Sequence, residues 1–434
     1  MSLIYQIREY GSFVSEKQLD GYVTLKKHTF EQLEEFILAN RSKDADALER
    51  MGLSAKKGIG KVITAKNYVG LITLTDGTAI EILPKICSEL DSDASGVRTK
   101  RLLLDMLKTL RNTPYKTLQS SNVNIHKMNI LEIFIRMFID EVFSIVKRGL
   151  KCGYETVEEN VTFFRGKIIF SRQIQMNHAH KERSYVEFDD YSVNRPENRL
   201  LKSTLLYLYK HTTSSRNRND IRSLLDVFYE VEVSADYRKD FSQYTPDRNM
   251  KDYSIALMWS RVFLSGKSFT SFSGSEIALA LLFPMEVLFE SYIATIIKKK
   301  LSGTDYTISI QDRSHHLFDV PSKKFLLRPD IVVERKSDKT VFVFDTKWKL
   351  LSDTPANYGI SQSDMYQVYA YQKKYKSNSV TLIYPKTDAV STTEPIRFQS
   401  DDGAIVNVMF VDLFDVHSSI DEIFDCTMGV SHCG

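Results

Sequence analysis

Apolar positions change their spacing several times along this chain, and each change marks an element. Over the first 88 residues they come in short runs: 4–8, 21–25, 60–68, 69–75 and 79–83 are apolar or alternate with polar residues, the two-residue period of strands. Thr75-Asp76-Gly77-Thr78 predicts a tight hairpin, because Asp-Gly tolerates the positive φ angles such turns need. Residues 30–40 read as a helix between strands. A β-rich domain is expected over residues 1–88.

A polar stretch, Asp91-Ser92-Asp93-Ala94-Ser95-Gly96, then precedes helical spacing over 101–108. Residues 129–148 predict a longer helix with Gly149 at its C-terminal cap. Residues 154–175 look strand-like around a turn at Phe163-Phe164-Arg165-Gly166-Lys167-Ile168, and 196–231 return to helix. The region 89–265 is therefore expected to be mixed and largely helical.

In the remainder, 266–434, Pro284 suits the first turn of a helix. Met285, Leu288, Phe289, Tyr292, Ile293, Ile296 and Ile297 follow helical spacing, and Lys298-Lys299-Lys300 closes that helix where cations complement the dipole. Short apolar runs at 325–327, 331–333 and 340–344, with the polar turn Arg335-Lys336-Ser337-Asp338-Lys339 between the last two, predict a β-hairpin. The fold class expected is α+β and multidomain, ending in an α/β domain.

Pro329-Asp330 and Asp345-Thr346-Lys347 stand at the open end of that hairpin. Strand alternation projects Asp345 and Lys347 together and Thr346 away, while Asp330 sits at the end of the paired strand. Two carboxylates beside an ammonium suit phosphodiester hydrolysis, which needs the phosphate neutralised and hydroxide generated near neutral pH. Mg²⁺ or Mn²⁺ held by Asp330, Asp345 and the carbonyl of Thr346 meets both needs. Lys347 would orient or deprotonate the attacking water and stabilise charge on the phosphoryl oxygens.

An Asp-Xaa-Lys tripeptide also occurs at solvated strand ends. What adds weight here is residues 361–376, where Gln367 and Tyr371 lie four apart on one helical face. For Tyr371 the alternative is packing of that helix on a sheet. On the preceding helix Glu286 and Glu290 flank the apolar stripe, and Glu290 is the favoured third, weaker metal ligand.

Composition narrows the class without deciding it. At 434 residues, 43% hydrophobic and 26% charged, the chain is expected to be soluble and to hold two or three domains. Its longest apolar stretch, 277–283, is far short of a membrane span, and no signal-peptide pattern opens it, so a cytoplasmic location is expected. Cys87, Cys152, Cys426 and Cys433 are dispersed, which makes zinc sites and structural disulfides unexpected.

The net charge of +3 argues nothing about nucleic acid, but Lys323-Lys324, Arg328, Arg335-Lys336, Lys347, Lys349 and Lys373-Lys374 crowd the last domain. Gly52, Lys57, Gly58, Gly60 and Lys61 fail the spacing of a phosphate loop, with Ala55 where the first glycine belongs and Val62 after the lysine. Any nucleotide motor must be another chain.

Pro329-Asp330, Asp345-Thr346-Lys347 and Gln367-Val368-Tyr369-Ala370-Tyr371 resemble the PD-(D/E)xK nuclease signature with its Gln-xxx-Tyr extension, and Glu290 matches the Phe-Glu of related nucleases. That resemblance implies a role for Gln367 and Tyr371 in DNA contact or active-site support. Residues 74–86, 102–107, Phe164-Arg165-Gly166-Lys167 and 194–202 extend the likeness, so nearly the whole chain resembles the McrC family. The resemblance implies a Mg²⁺-dependent DNA endonuclease subunit acting on double-stranded DNA. It would work with a hexameric McrB-like AAA+ partner that binds GTP and whose hydrolysis it stimulates through a partner-binding N-terminal region. A stand-alone RecB-like repair nuclease and a non-catalytic activator of a partner NTPase are the alternatives.

Overall fold

The computed structural model describes residues 3–16, 18–39, 51–74, 78–86, 94–110, 130–244, 251–264, 277–391 and 394–429. The chain is mixed α/β and divides into two compact units, one joining residues 1–118 with 274–434 and the other spanning 119–273. These units cut the chain differently from three consecutive domains bounded at 88 and 265. The physical reason is a shared sheet. Strand Ile277–Pro284 pairs antiparallel with Tyr68–Leu74, which pairs in turn with Ala79–Leu83, and Ile4–Arg8 completes the sheet in parallel. Gly70 permits that closure: it has a φ of 135°, and a Cβ there would lie 1.9 Å from the Leu281 carbonyl oxygen. The turn expected at Asp76-Gly77 lies outside the described residues, although its flanking strands pair as expected.

A second four-stranded sheet, in the order Tyr22–Leu25, Ser12–Ser15, Gly60–Ala65, Met51–Lys56, belongs to the same unit. The turn after Lys56 is exposed, as expected of a solvated loop.

The sheet that matters for chemistry has six strands, in the order Tyr306–Ile310, Ile331–Arg335, Val341–Thr346, Ser379–Pro385, Ile405–Val411, Ile396–Gln399. Its three central strands are parallel, and Ser379–Pro385 is buried at every position, as a strand covered on both faces must be. Alternation then assigns the faces. Val343 packs with Val368 and Tyr371 of helix Gln362–Tyr375, while the Phe344 ring meets Phe424 of helix Val416–Met428 at 6.3 Å. Helix Met285–Lys300 also packs on strand Val341–Thr346. Its start at Pro284 and its triple-lysine last turn agree with the sequence reading.

The second unit packs helices Ile130–Arg148, Pro196–His211, Ser215–Val227 and Lys251–Leu264 beside the three-stranded sheet Gly153–Val161, Ser184–Ser192, Lys167–Ile168. Gly149, at φ 87°, ends the first of these helices as its sequence suggests. Residues 154–175 are not strand-like throughout, because Phe170–Asn177 is helical. Phe170 and Ile174 fall four apart, a helical spacing obscured by the alternation preceding it. Among the described residues no helix is long and apolar enough to cross a membrane.

Candidate active site

Strand register brings the two hairpin acids together. Ile331 pairs with Phe344, and continuing that antiparallel register sets Asp330 beside Asp345. Asp345 stands at the carboxyl end of a parallel strand, where α/β sheets commonly bind ligands. Val343, Asp345 and Lys347 alternate onto the face covered by helix Gln362–Tyr375, and that helix supplies the next shell. The Lys347 Nζ lies 2.7 Å from Asp345 Oδ2 and donates to Gln367 Oε1 at 3.0 Å. Gln367 Nε2 donates to the Tyr371 hydroxyl at 2.7 Å, and that hydroxyl donates to the Arg328 carbonyl at 2.9 Å. A chain of hydrogen bonds thus runs from Lys347 through the helix back to the loop that presents Asp330. Tyr371 both packs in the core and orients Gln367.

The Thr346 side chain, expected to point away, instead reaches Asp330. The Thr346 amide and hydroxyl both donate to Asp330 Oδ2, at 2.7 and 2.6 Å. Asp330 sits at the end of its strand, so its carboxylate can reach across the neighbouring strand to these donors. The observed role of Thr346 is to fix Asp330.

Glu290 accepts from Gln311 Nε2 at 2.8 Å, and the Gln311 amide donates to the Asp330 carbonyl at 2.7 Å. It therefore approaches the site through Gln311. Among the described residues no group of three His, Cys, Asp or Glu side chains is arranged to hold a metal, so Glu290 is not drawn into one cage with Asp330 and Asp345.

Burial and mutual repulsion both act on the pair. Asp345 is only 1% exposed. Burial lifts its pKa well above the usual carboxylate range, the charge of Asp330 lifts it further, and Lys347 offsets part of this. Asp330 is also raised by burial, against the Thr346 hydrogen bonds and Lys347. Burial alone would lower Lys347, but the attraction of Asp345 outweighs it and holds the ammonium above its ordinary value. Two neighbouring carboxylates, Asp345 buried and Asp330 half-buried, form a donor set that fits Mg²⁺, which takes one or two carboxylates and keeps waters for its remaining positions.

Asp364 and Glu9 carry no assigned role in the sequence, and Lys349 figures there only as one of the cations crowding the last domain. Lys349 continues the Asp345, Lys347 alternation and pairs with Asp364 at 2.7 Å. Burial would raise the Asp364 carboxyl, but Lys349 and the Ser361 hydroxyl hold it below its ordinary value. A two-residue period carried through Lys349 was the available signal. Glu9, by contrast, has no such signal: it lies at the end of a short N-terminal strand, yet it accepts from Trp348 Nε1 at 3.1 and 3.2 Å and from the Lys85 amide at 3.2 Å.

Burial raises Glu9 from 4.5 to about 7, against Lys85 and the Trp348 hydrogen bond. Between those pH values the folded chain keeps a proton that the unfolded chain has released. The stability linked to Glu9 is thus fully present below the unfolded value and is lost as pH rises toward 7, by about 3 kcal/mol at ~1.4 kcal/mol per unit. Thermal unfolding should show a midpoint falling between pH 5 and 8, with the fall much reduced in Glu9→Gln. Equal slopes in both proteins would rule out this linkage.

Residues 63–385 match the family model described as McrBC 5-methylcytosine restriction system component. The chain belongs to this McrBC family. A curated relative of this McrBC-family chain is the type IV methyl-directed restriction enzyme EcoKMcrBC of Escherichia coli K12, 21% identical over 318 residues, covering 68% of this chain and 88% of the relative. The fold is similar to a chain of the refined half-complex from the tetradecameric assembly of Thermococcus gammatolerans McrB AAA+ hexamers with bound McrC. There the TM-score is 0.66 at 17% identity, over 97% of this chain and all of the other. The McrBC family is a restriction-enzyme family, in agreement with the McrC resemblance.

Proposed function

We propose that this chain is the Mg²⁺-dependent DNA endonuclease subunit of a modified-cytosine restriction system, with a PD-(D/E)xK nuclease domain at its C-terminal end. It would act with a hexameric McrB-like AAA+ partner whose GTP hydrolysis it stimulates. The observation that carries this reading is the convergence of Asp330, Asp345 and Lys347, backed by Gln367 and Tyr371, at one end of the six-stranded sheet. Membership in the McrBC family and the failed phosphate-loop spacing support the division of labour with a nucleotide-hydrolysing partner.

Asp330 and Asp345 would hold the cation, which when bound supplies charge neutralisation at the phosphate and a more acidic water. The chain's own groups do the rest. Thr346 fixes Asp330 through two hydrogen bonds, so this carboxylate keeps its orientation as substrate enters. Lys347 presents three N–H donors. Asp345 and Gln367 take two of them, leaving one to orient the attacking water or to meet a phosphoryl oxygen as charge builds there. Held this way, Lys347 acts as a fixed positive charge in preference to a free base.

The test is a cleavage assay with the purified AAA+ partner on methylated and unmethylated duplexes. Cutting should require Mg²⁺ and GTP together. A chain that stimulates GTP hydrolysis but never cuts, at any Mg²⁺ or Mn²⁺ concentration, would favour the activator reading instead.

A further inference from the structure

Just ahead of Asp330 the chain makes a small two-stranded arm that the sheet does not need. His316–Phe318 pairs antiparallel with Lys324–Leu326, apart from the six-stranded sheet. Its root is fixed. The Leu327 amide donates to the His315 carbonyl at 2.9 Å, the His315 ring lies 4.3 Å from that of Tyr375, and the Tyr375 hydroxyl donates to Asp312 at 2.8 Å. Lys374 pairs with Asp319 at 2.9 Å, tying one strand to helix Gln362–Tyr375.

Beyond the root several of its apolar side chains are bare. Val320 is 84% exposed, Phe325 72% and Phe318 55%, and the two phenyl rings meet edge to face at 5.9 Å. Phe325 has a φ of 57°, a left-handed conformation that a bulky residue adopts only at a cost. Such a group of exposed apolar side chains on a rooted arm calls for an occupant.

Charge indicates which one. The acid of the arm, Asp319, is engaged by Lys374, and Asp312 at its root by Ser309, Ser314 and Tyr375. Arg313, Lys323, Lys324 and Arg328 are exposed, and none has an ion-pair partner among the described residues. Four exposed cations, Lys323 among them lying near Asp319 as well, surround exposed aromatic rings and complement a polyanion that also offers stacked rings. Phe325 is five residues from Asp330, so it reaches at most about 17 Å from it. That is about half of the ~34 Å turn of a duplex. A duplex seated on the acids therefore lies within reach of the arm.

We propose that the arm 316–326 is a DNA wedge: its Lys323 and Lys324, with the flanking Arg313 and Arg328, grip the phosphates beside the cut site while Phe318 and Phe325 enter the minor groove and unstack a base step. Proteins that kink DNA combine apolar wedges with basic side chains in this way. The proposal rests on the nuclease reading for its substrate.

The test uses the full chain carrying Asp345→Ala, assembled with its AAA+ partner, on duplexes with 2-aminopurine at successive steps around the cut site. Binding should raise fluorescence at one step. Phe318→Ala/Phe325→Ala should abolish the rise and weaken binding about tenfold, whereas Phe325→Trp should retain it. Lys323→Ala/Lys324→Ala should reduce the salt slope of binding by about 1.8 while keeping the rise per bound complex. Both changes lie on exposed positions, so folding is unaffected.

No rise at any step, or a rise that survives the double alanine change, overturns the wedge. So does loss of GTPase stimulation in the double alanine protein with unchanged fluorescence, which would assign the arm to the protein partner. Cleavage by the parent chain is scored on the same duplexes. If Asp345→Ala still cuts, the nuclease reading fails by that measure alone, while the fluorescence continues to report on the arm.

Discussion

Asp345→Ala should lower single-turnover cleavage by at least about a thousandfold, the loss expected when several kcal/mol of transition-state stabilisation are withdrawn. Two features make this change clean. Asp345 is a buried carboxylate whose charged form is disfavoured by burial and by Asp330, so removing it relieves a cost in the fold. Lys347 keeps Gln367 as an acceptor, and Asp330 keeps both Thr346 donors. Stimulation of partner GTP hydrolysis should therefore persist at its normal rate. Cleavage surviving at ordinary Mg²⁺ would refute the site.

Lys347→Met should slow the chemical step by about a hundred- to a thousandfold, the size of effect seen when one preorganised donor is removed from a charged transition state. Methionine keeps an unbranched apolar stem in the same space, so the packing near Gln367 is preserved. DNA affinity should change by less than about twofold, because duplex binding spreads over many phosphate contacts. Lys347→Arg should not rescue the rate, since a planar fork cannot replace a compact ammonium between Asp345 and Gln367. A rapid-quench time course separates the two steps. A large loss of affinity with an unchanged cutting rate would make Lys347 a binding residue only.

Much of this site was legible in the sequence because it obeys local periods. The two-residue period put Asp345 beside Lys347, and the four-residue helical spacing put Gln367 beside Tyr371, as the observed contacts bear out. Hairpin pairing through the Arg335–Lys339 turn placed Asp330 next to Asp345. What escaped was set by long-range approach. The clamp of Thr346 on Asp330 escaped because the carboxylate bends across the strand end. Glu9 reaches Trp348 from 339 positions away, which no local pattern encodes. The shared sheet of Tyr68–Leu74 and Ile277–Pro284 likewise joins regions that composition separates, because a continuous apolar run does not announce its partner strand.

A cation-dependent cutting centre built on Asp330 and Asp345 must bind its metal through both carboxylates. Mn²⁺ titration followed by electron paramagnetic resonance tests it most directly, comparing the unaltered chain with Asp330→Asn and Asp345→Asn. The expected result is a site that immobilises Mn²⁺ in the unaltered chain and is lost in each variant. Equal immobilisation in all three proteins would contradict it.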